Sequence, residues 1–211
     1  MRKHALITGL ARTGTTFLIA FYGRLGFDIG YTSSKISRIM DKSHPIHGGL
    51  ELLNNHMWVP RSEASKEKLS RIEVIKHPWV YAAKKQPWHY IQSNKLTFDY
   101  IVLTHRDPDS LANSTAHAKV TRGKIKEKNF NKIREKALKA APIKAQALRE
   151  WAEGTNSSII TVEFPRSIDD FNYLWGQLVP SMREIKKSYA RKVWEDLRDP
   201  GYVTFRYGNE A

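Results

Sequence analysis

The sequence predicts an α/β fold: a three-layer, doubly wound and mainly parallel sheet of about five strands, with helices on both faces. Three observations carry that expectation. The runs HALIT (His4–Thr8) and YIVLT (Tyr100–Thr104) are mostly apolar, with no polar alternation, as suits strands covered on both faces, and SIITVEF (Ser158–Phe164) is a further strand-like run. Longer stretches with helical periodicity lie between them. The first run ends in a glycine turn and a hydroxyl-rich helix start, GLARTGTTF (Gly9–Phe17).

Taken in order, His4–Thr8 is the first strand, and a helix over Thr15–Leu25 follows, ended by Gly26 as a C-cap. Phe27–Tyr31 reads as a short second strand. Ser33–Ser70 is mixed and polar, with a helical piece at Gly49–Met57. Ile72–Lys76 is a third strand closed by Pro78, and Tyr100–Thr104 is a fourth. Pro108 then suits the first turn of a helix. Lys128–Glu153 is a long basic helical region with a break expected at Pro142, because proline biases Ala141 away from helical backbone. Ser158–Phe164 is a fifth strand, Ile168–Leu178 and Ser181–Leu197 are helices, and Tyr202–Arg206 is a terminal strand. No repeat, low-complexity tract or linker divides the chain, so one domain over residues 1–211 is expected.

Composition narrows the class. With 41% hydrophobic and 27% charged residues and a mean hydropathy of −0.53, the chain suits a globular protein with one sizeable core. No apolar run approaches the roughly 18 residues of a membrane span. The start, MRKHALITGLA, imitates a secretory leader, but Arg12 interrupts the apolar patch and no small-residue cleavage site follows. The absence of cysteine excludes disulfides and thiolate metal sites. The expectation is a cytoplasmic protein. The balance of 35 Lys+Arg against 21 Asp+Glu, a net charge of +14, attracts anionic partners. Helix-turn-helix, zinc-finger and single-strand-binding signatures are missing, which disfavours nucleic acid.

The first loop carries the chemistry. Gly9 and Gly14 have the spacing of a phosphate-binding loop, G-x-x-x-x-G-K-[ST], yet Thr15 stands where that loop has lysine. A strand that turns through glycine into a helix aims backbone amides at one point, where the helix dipole also favours an anion. Arg12 adds a planar fork suited to phosphate oxygens, and Thr13, Thr15 and Thr16 offer hydroxyls. The missing lysine weighs against nucleoside triphosphate chemistry. So does the end of the fourth strand, which gives His105-Arg106 where a magnesium-binding acid would be expected.

Residues Gly9–Phe17 resemble the 5′-phosphosulfate loop of sulfotransferases that use 3′-phosphoadenosine 5′-phosphosulfate (PAPS), in which Lys or Arg lies two places before the glycine and Thr-Thr follows it. Arg12, Gly14, Thr15 and Thr16 match. THRDPDSLANS (Thr104–Ser114) resembles the family's second signature, an Arg at a strand end, a Pro two residues on and a Ser eight residues on; Arg106, Pro108 and Ser114 match. The resemblance implies a P-loop NTPase-like fold, Arg12 with Thr13–Thr16 on the 5′-phosphate, and Arg106 with Ser114 on the 3′-phosphate. Lys76-His77, at the end of the third strand, looks like the family's Lys-Thr-His segment with one residue missing. His77 is then the candidate general base and Lys76 the cation on the sulfuryl oxygens or leaving phosphate. Ile160–Phe164 with Asp169-Asp170-Phe171 resembles a late family segment more diffusely, and Glu163 receives no role. The resemblance implies PAPS as donor and 3′-phosphoadenosine 5′-phosphate (PAP) as product, no metal, and a small-molecule or carbohydrate acceptor, acidic by the chain's charge. Two alternatives stand beside it: a small-molecule or nucleotide kinase with a degenerate loop, and a non-catalytic polyanion or nucleic-acid binder. The histidines His44, His47 and His56 are too loosely spaced for a metal site.

Overall fold

The computed structural model describes residues 2–31, 71–77, 95–121 and 126–198. These form one α/β unit around a four-stranded, all-parallel sheet: β1 (Arg2–Gly9), β2 (Val74–Lys76), β3 (Thr97–Arg106) and β4 (Ser158–Phe164). The spatial order is β2-β1-β3-β4. Six α-helices belong to the described residues: α1 (Thr15–Arg24), α2 (Pro108–Thr121), α3 (Phe130–Glu153), α4 (Arg166–Asp169), α5 (Phe171–Leu178) and α6 (Lys187–Leu197).

Strand alternation divides the core in two. Ala5, Ile7, Val74, Val102, Ile160 and Val162 point to one face and meet Leu18 and Phe21 of α1, Leu174 of α5 and Trp194 of α6. Leu6, Ile75, Ile101 and Leu103 point to the other and meet Leu111 of α2 and Ala141, Leu148 and Ala152 of α3. Both faces of β1, β2 and β3 are therefore apolar because both are covered, whereas β4, at the sheet edge, buries Ile160, Val162 and Phe164 and exposes Ile159 and Glu163. Register is in step across the sheet: Ile7 lies beside Lys76 and Val102, and Val102 beside Ile160.

The order 2-1-3-4 matters for ligands. The chain leaves β1 for α1 on one face and leaves β3 for α2 on the other. Neighbouring strands whose continuations diverge leave a crevice beyond their carboxyl ends. Here that crevice opens between Gly9 and Arg106.

Several elements differ from expectation. Phe27–Tyr31 is not a strand. Gly26 takes a left-handed φ of 96°, Gly26 N donates to Gly23 O at 3.2 Å and Phe27 N to Tyr22 O at 3.1 Å, a Schellman closure that turns the chain sharply. Asp28 then bonds the amide of Gly30 through Oδ1 at 2.7 Å, folding the segment again. The described residues thus hold four strands; Tyr202–Arg206 and Gly49–Met57 lie outside them. Helix α3 runs through Pro142 unbroken. Pro142 sits on its exposed side, while burial of Ala141, Leu148 and Ala152 fastens the other side to the sheet and outweighs the lost amide. Ile168–Leu178 divides at Asp170, which has extended backbone and caps α5 by accepting from Tyr173 N at 3.0 Å. The last helix begins at Lys187, after a 3₁₀ turn over Val179–Ser181.

Candidate functional site

Two close approaches build the loop after β1. Gly9 runs so near β3 that a Cβ would stand 1.9 Å from Thr104 Oγ1 and 2.7 Å from Thr104 O. Thr13 Oγ1 donates to Leu10 O at 2.6 Å and lies 2.5 Å from Thr104 Oγ1, so a hydroxyl pair clamps the loop against the next strand. Gly14 has φ 85° and would place a Cβ 2.4 Å from Phe164 Cδ2. It is also the N-cap of α1, with no side chain capping the first amides. Amides of Thr15, Thr16 and Phe17 have no acceptor within the helix itself, and the dipole adds partial positive charge there.

Arg12 takes a left-handed φ of 76°, rare for a residue with a side chain. Its Nε donates to Ser114 Oγ at 3.2 Å, reaching from the first loop to α2. Arg106 Nη1 donates to Arg12 O at 3.2 Å and holds that turn from the end of β3. The Arg106 guanidinium also lies 5.1 Å from the centre of the Phe164 ring. Arg12 thus converges at the crevice with Arg106 and Ser114, each more than 90 residues further along the chain. Asp109 pairs with Arg134 Nη2 at 2.8 Å and Asp107 accepts from Ser110 N at 2.9 Å, so neither is fully given to Arg106.

Burial, and then the nearby Arg12 charge, push the Arg106 guanidinium down to about 10; Asp107 opposes the shift. Two cations crowded at a low-dielectric strand end form a site that an anion would relieve.

On the other side of β1, Lys76 and His77 end β2. Both are buried. Lys76 Nζ donates to Thr16 Oγ1 at 2.7 Å, at the first turn of α1. His77 N donates to Ile7 O at 2.9 Å, and its carbonyl accepts from Thr8 Oγ1 at 2.7 Å, which fixes its backbone one step beyond Lys76.

Every site residue singled out in the sequence (Arg12, Thr13, Gly14, Thr15, Thr16, Lys76, His77, Arg106 and Ser114) thus stands at the carboxyl end of β1, β2 or β3, or on the helix that follows. One pairing differs from expectation: Arg12 is the residue bonded to Ser114, while Arg106 braces the loop backbone. Sequence reading missed Thr104 and Phe164. Thr104 carried a signal, a hydroxyl in an otherwise apolar strand; Phe164 reads only as a strand residue.

Among the described residues no group of three or more His, Asp or Glu could hold a metal ion, and His44, His47 and His56 lie outside them. No helix among the described residues is long and apolar enough to cross a membrane. No family model matches the chain, and no curated protein or solved structure matches it significantly.

Proposed function

We propose that this chain is a PAPS-dependent sulfotransferase acting on a small-molecule or carbohydrate acceptor, on a doubly wound, P-loop NTPase-like domain. One observation carries the reading: Arg12 and Ser114 lie 3.2 Å apart, with Arg106 bonded to the Arg12 carbonyl. The two sequence signatures therefore meet at one crevice. The donor set fits a ligand with two phosphate groups. Helix amides and two guanidiniums are anion-binding groups.

PAPS would supply the sulfuryl group, and PAP would remain. The amides of Gly14, Thr15 and Thr16 and the Arg12 fork hold the 5′-phosphate and stabilise the charge that grows on it. Arg106 and Ser114 hold the 3′-phosphate. Lys76, beside Thr16, neutralises charge on the transferring oxygens. His77 takes the proton from the acceptor hydroxyl or amine as the new S–O or S–N bond forms and the bond from sulfur to the bridging 5′-phosphate oxygen breaks, leaving that oxygen on PAP.

The net charge of +14 favours, as a second reading, a polyanion binder without catalysis. One titration separates this reading, the sulfotransferase reading and the kinase alternative. PAP should raise the melting temperature, since a ligand bound only by the native state stabilises it. A shift with ATP and magnesium but none with PAP would overturn the sulfotransferase in favour of a kinase. Salt-sensitive nucleic-acid binding undiminished by PAP would favour the polyanion reading.

A further inference from the structure

Phe164 closes β4, and its Cα lies in register beside that of Arg106 at the end of β3. It is only 8% exposed, yet it joins neither apolar cluster of the described residues. Its side chain points to the α1 face of the sheet, as those of Ile160 and Val162 do. What the ring meets there is the anion site. The Arg106 guanidinium carbon lies 5.1 Å from the ring centre. The Cδ2–Cε2 edge fills the space where a Gly14 side chain would stand, 2.4 Å and 3.2 Å from that Cβ position. One ring thus touches both halves of the site: the turn that aims the first amides of α1, and the strand end that carries Arg106.

Holding a long arginine side chain in one rotamer costs conformational entropy, and a site that has met this cost before its ligand arrives binds more tightly. Arg106 is held on two sides. Its Nη1 donates to Arg12 O at 3.2 Å, and the Phe164 ring attracts the cation through its quadrupole. Leucine at this position would keep the burial but supply neither the flat face nor the quadrupole.

We propose that Phe164 is a positioning residue of the anion site: its ring holds the Arg106 guanidinium at a set distance from the Gly14 turn, so that the site favours a nucleotide phosphorylated at both the 3′ and 5′ positions over one with the 5′-phosphate alone. The nucleotide preference rests on the sulfotransferase reading; the hold on Arg106 does not.

Two measurements on the full chain test this. In nitrogen NMR relaxation, the Arg106 Nε–H signal, assigned by its absence in Arg106→Gln, should show an order parameter of about 0.85 in the wild type and below about 0.6 in Phe164→Leu. In calorimetric titration, Phe164→Leu should weaken PAP binding about tenfold and adenosine 5′-phosphate binding less than about twofold. Phe164→Tyr keeps the ring and should match the wild type in both. An Arg106 signal as ordered in Phe164→Leu as in the wild type, equal weakening of the two nucleotides, or identical behaviour of the leucine and tyrosine variants would overturn the proposal. Failure of PAP to bind the wild type would sink the sulfotransferase reading and the nucleotide preference with it, while the order parameter would still decide the hold on Arg106. Should Phe164→Leu not fold, as circular dichroism would report, Phe164→Met, whose flexible side chain adapts to the same space, takes its place in both measurements.

Discussion

Lys76 Nζ donates to Thr16 Oγ1 across 2.7 Å, joining the end of β2 to the first turn of α1. The loop after β1 lacks the lysine of a nucleoside-triphosphate loop, yet an ammonium stands at its helix start, delivered by the neighbouring strand. A charge held there contributes most where charge develops during reaction. Under the proposed sulfotransferase reading, Lys76→Met, which keeps length and burial, is expected to lower turnover of PAPS about a hundredfold. PAP affinity should change much less. Steady-state kinetics beside PAP titration makes the comparison, and equal loss in both would make Lys76 a simple ground-state binder.

Gly14 meets two separate constraints, a φ of 85° and the Phe164 ring 2.4 Å from where a Cβ would sit. Gly14→Ala should therefore destabilise by about 1–3 kcal/mol from backbone strain and by about 1–3 kcal/mol more from overpacking. Phe164→Leu should relieve only the second part. Urea unfolding of both single variants and the double variant gives the coupling. Strict additivity would show that the ring is not the obstacle.

Sequence reading reached the sheet because its central strands are covered on both faces, which makes them apolar without alternation, and it singled out Arg12, Arg106 and Ser114 because their spacing is local to one loop or one strand–helix turn. It did not reach what depends on contacts between distant segments. The turn at Gly26 removes Phe27–Tyr31 from the sheet, though Phe27 and Ile29 are as buried as strand residues. Burial of Ala141 and Leu148 carries α3 through Pro142, which no local preference foretells. Asp170, read as part of a motif, is spent on capping α5. The bond from Arg12 to Ser114 spans 102 positions and has no local signature.

Burial and the Arg12 charge hold the Arg106 guanidinium down to about 10. The sign follows from proton counting. Folding disfavours the charged form, so the penalty is present in full below about 10. Between about 10 and arginine's ordinary value the unfolded chain binds more protons, and this group's contribution to stability rises with pH. A phosphate on Arg106 needs the charge, so PAP affinity should fall as pH climbs through about 10. Arg106→Gln should bind PAP weakly at every pH and show less of that fall. Titrations from about pH 8 to about pH 11 supply the curve, and a wild-type affinity flat across that range would remove Arg106 from the anion site.

Arg12 occupies left-handed backbone that glycine adopts freely and a side chain adopts at a cost of about 1–2 kcal/mol. Its conformation is held by Arg106 from β3, so the loop keeps a strained residue where glycine would be easier. Strain retained at a ligand loop points to the side chain as its reason. Arg12→Ala and Arg12→Gly remove the same guanidinium and differ in backbone freedom. The glycine variant should be more stable than the alanine variant by about 1 kcal/mol in urea unfolding. Both should lose turnover together, because both lose the guanidinium fork that the proposed reading puts on the 5′-phosphate. A glycine variant that keeps turnover would mean that the loop's shape, and not the charge of Arg12, does the chemistry.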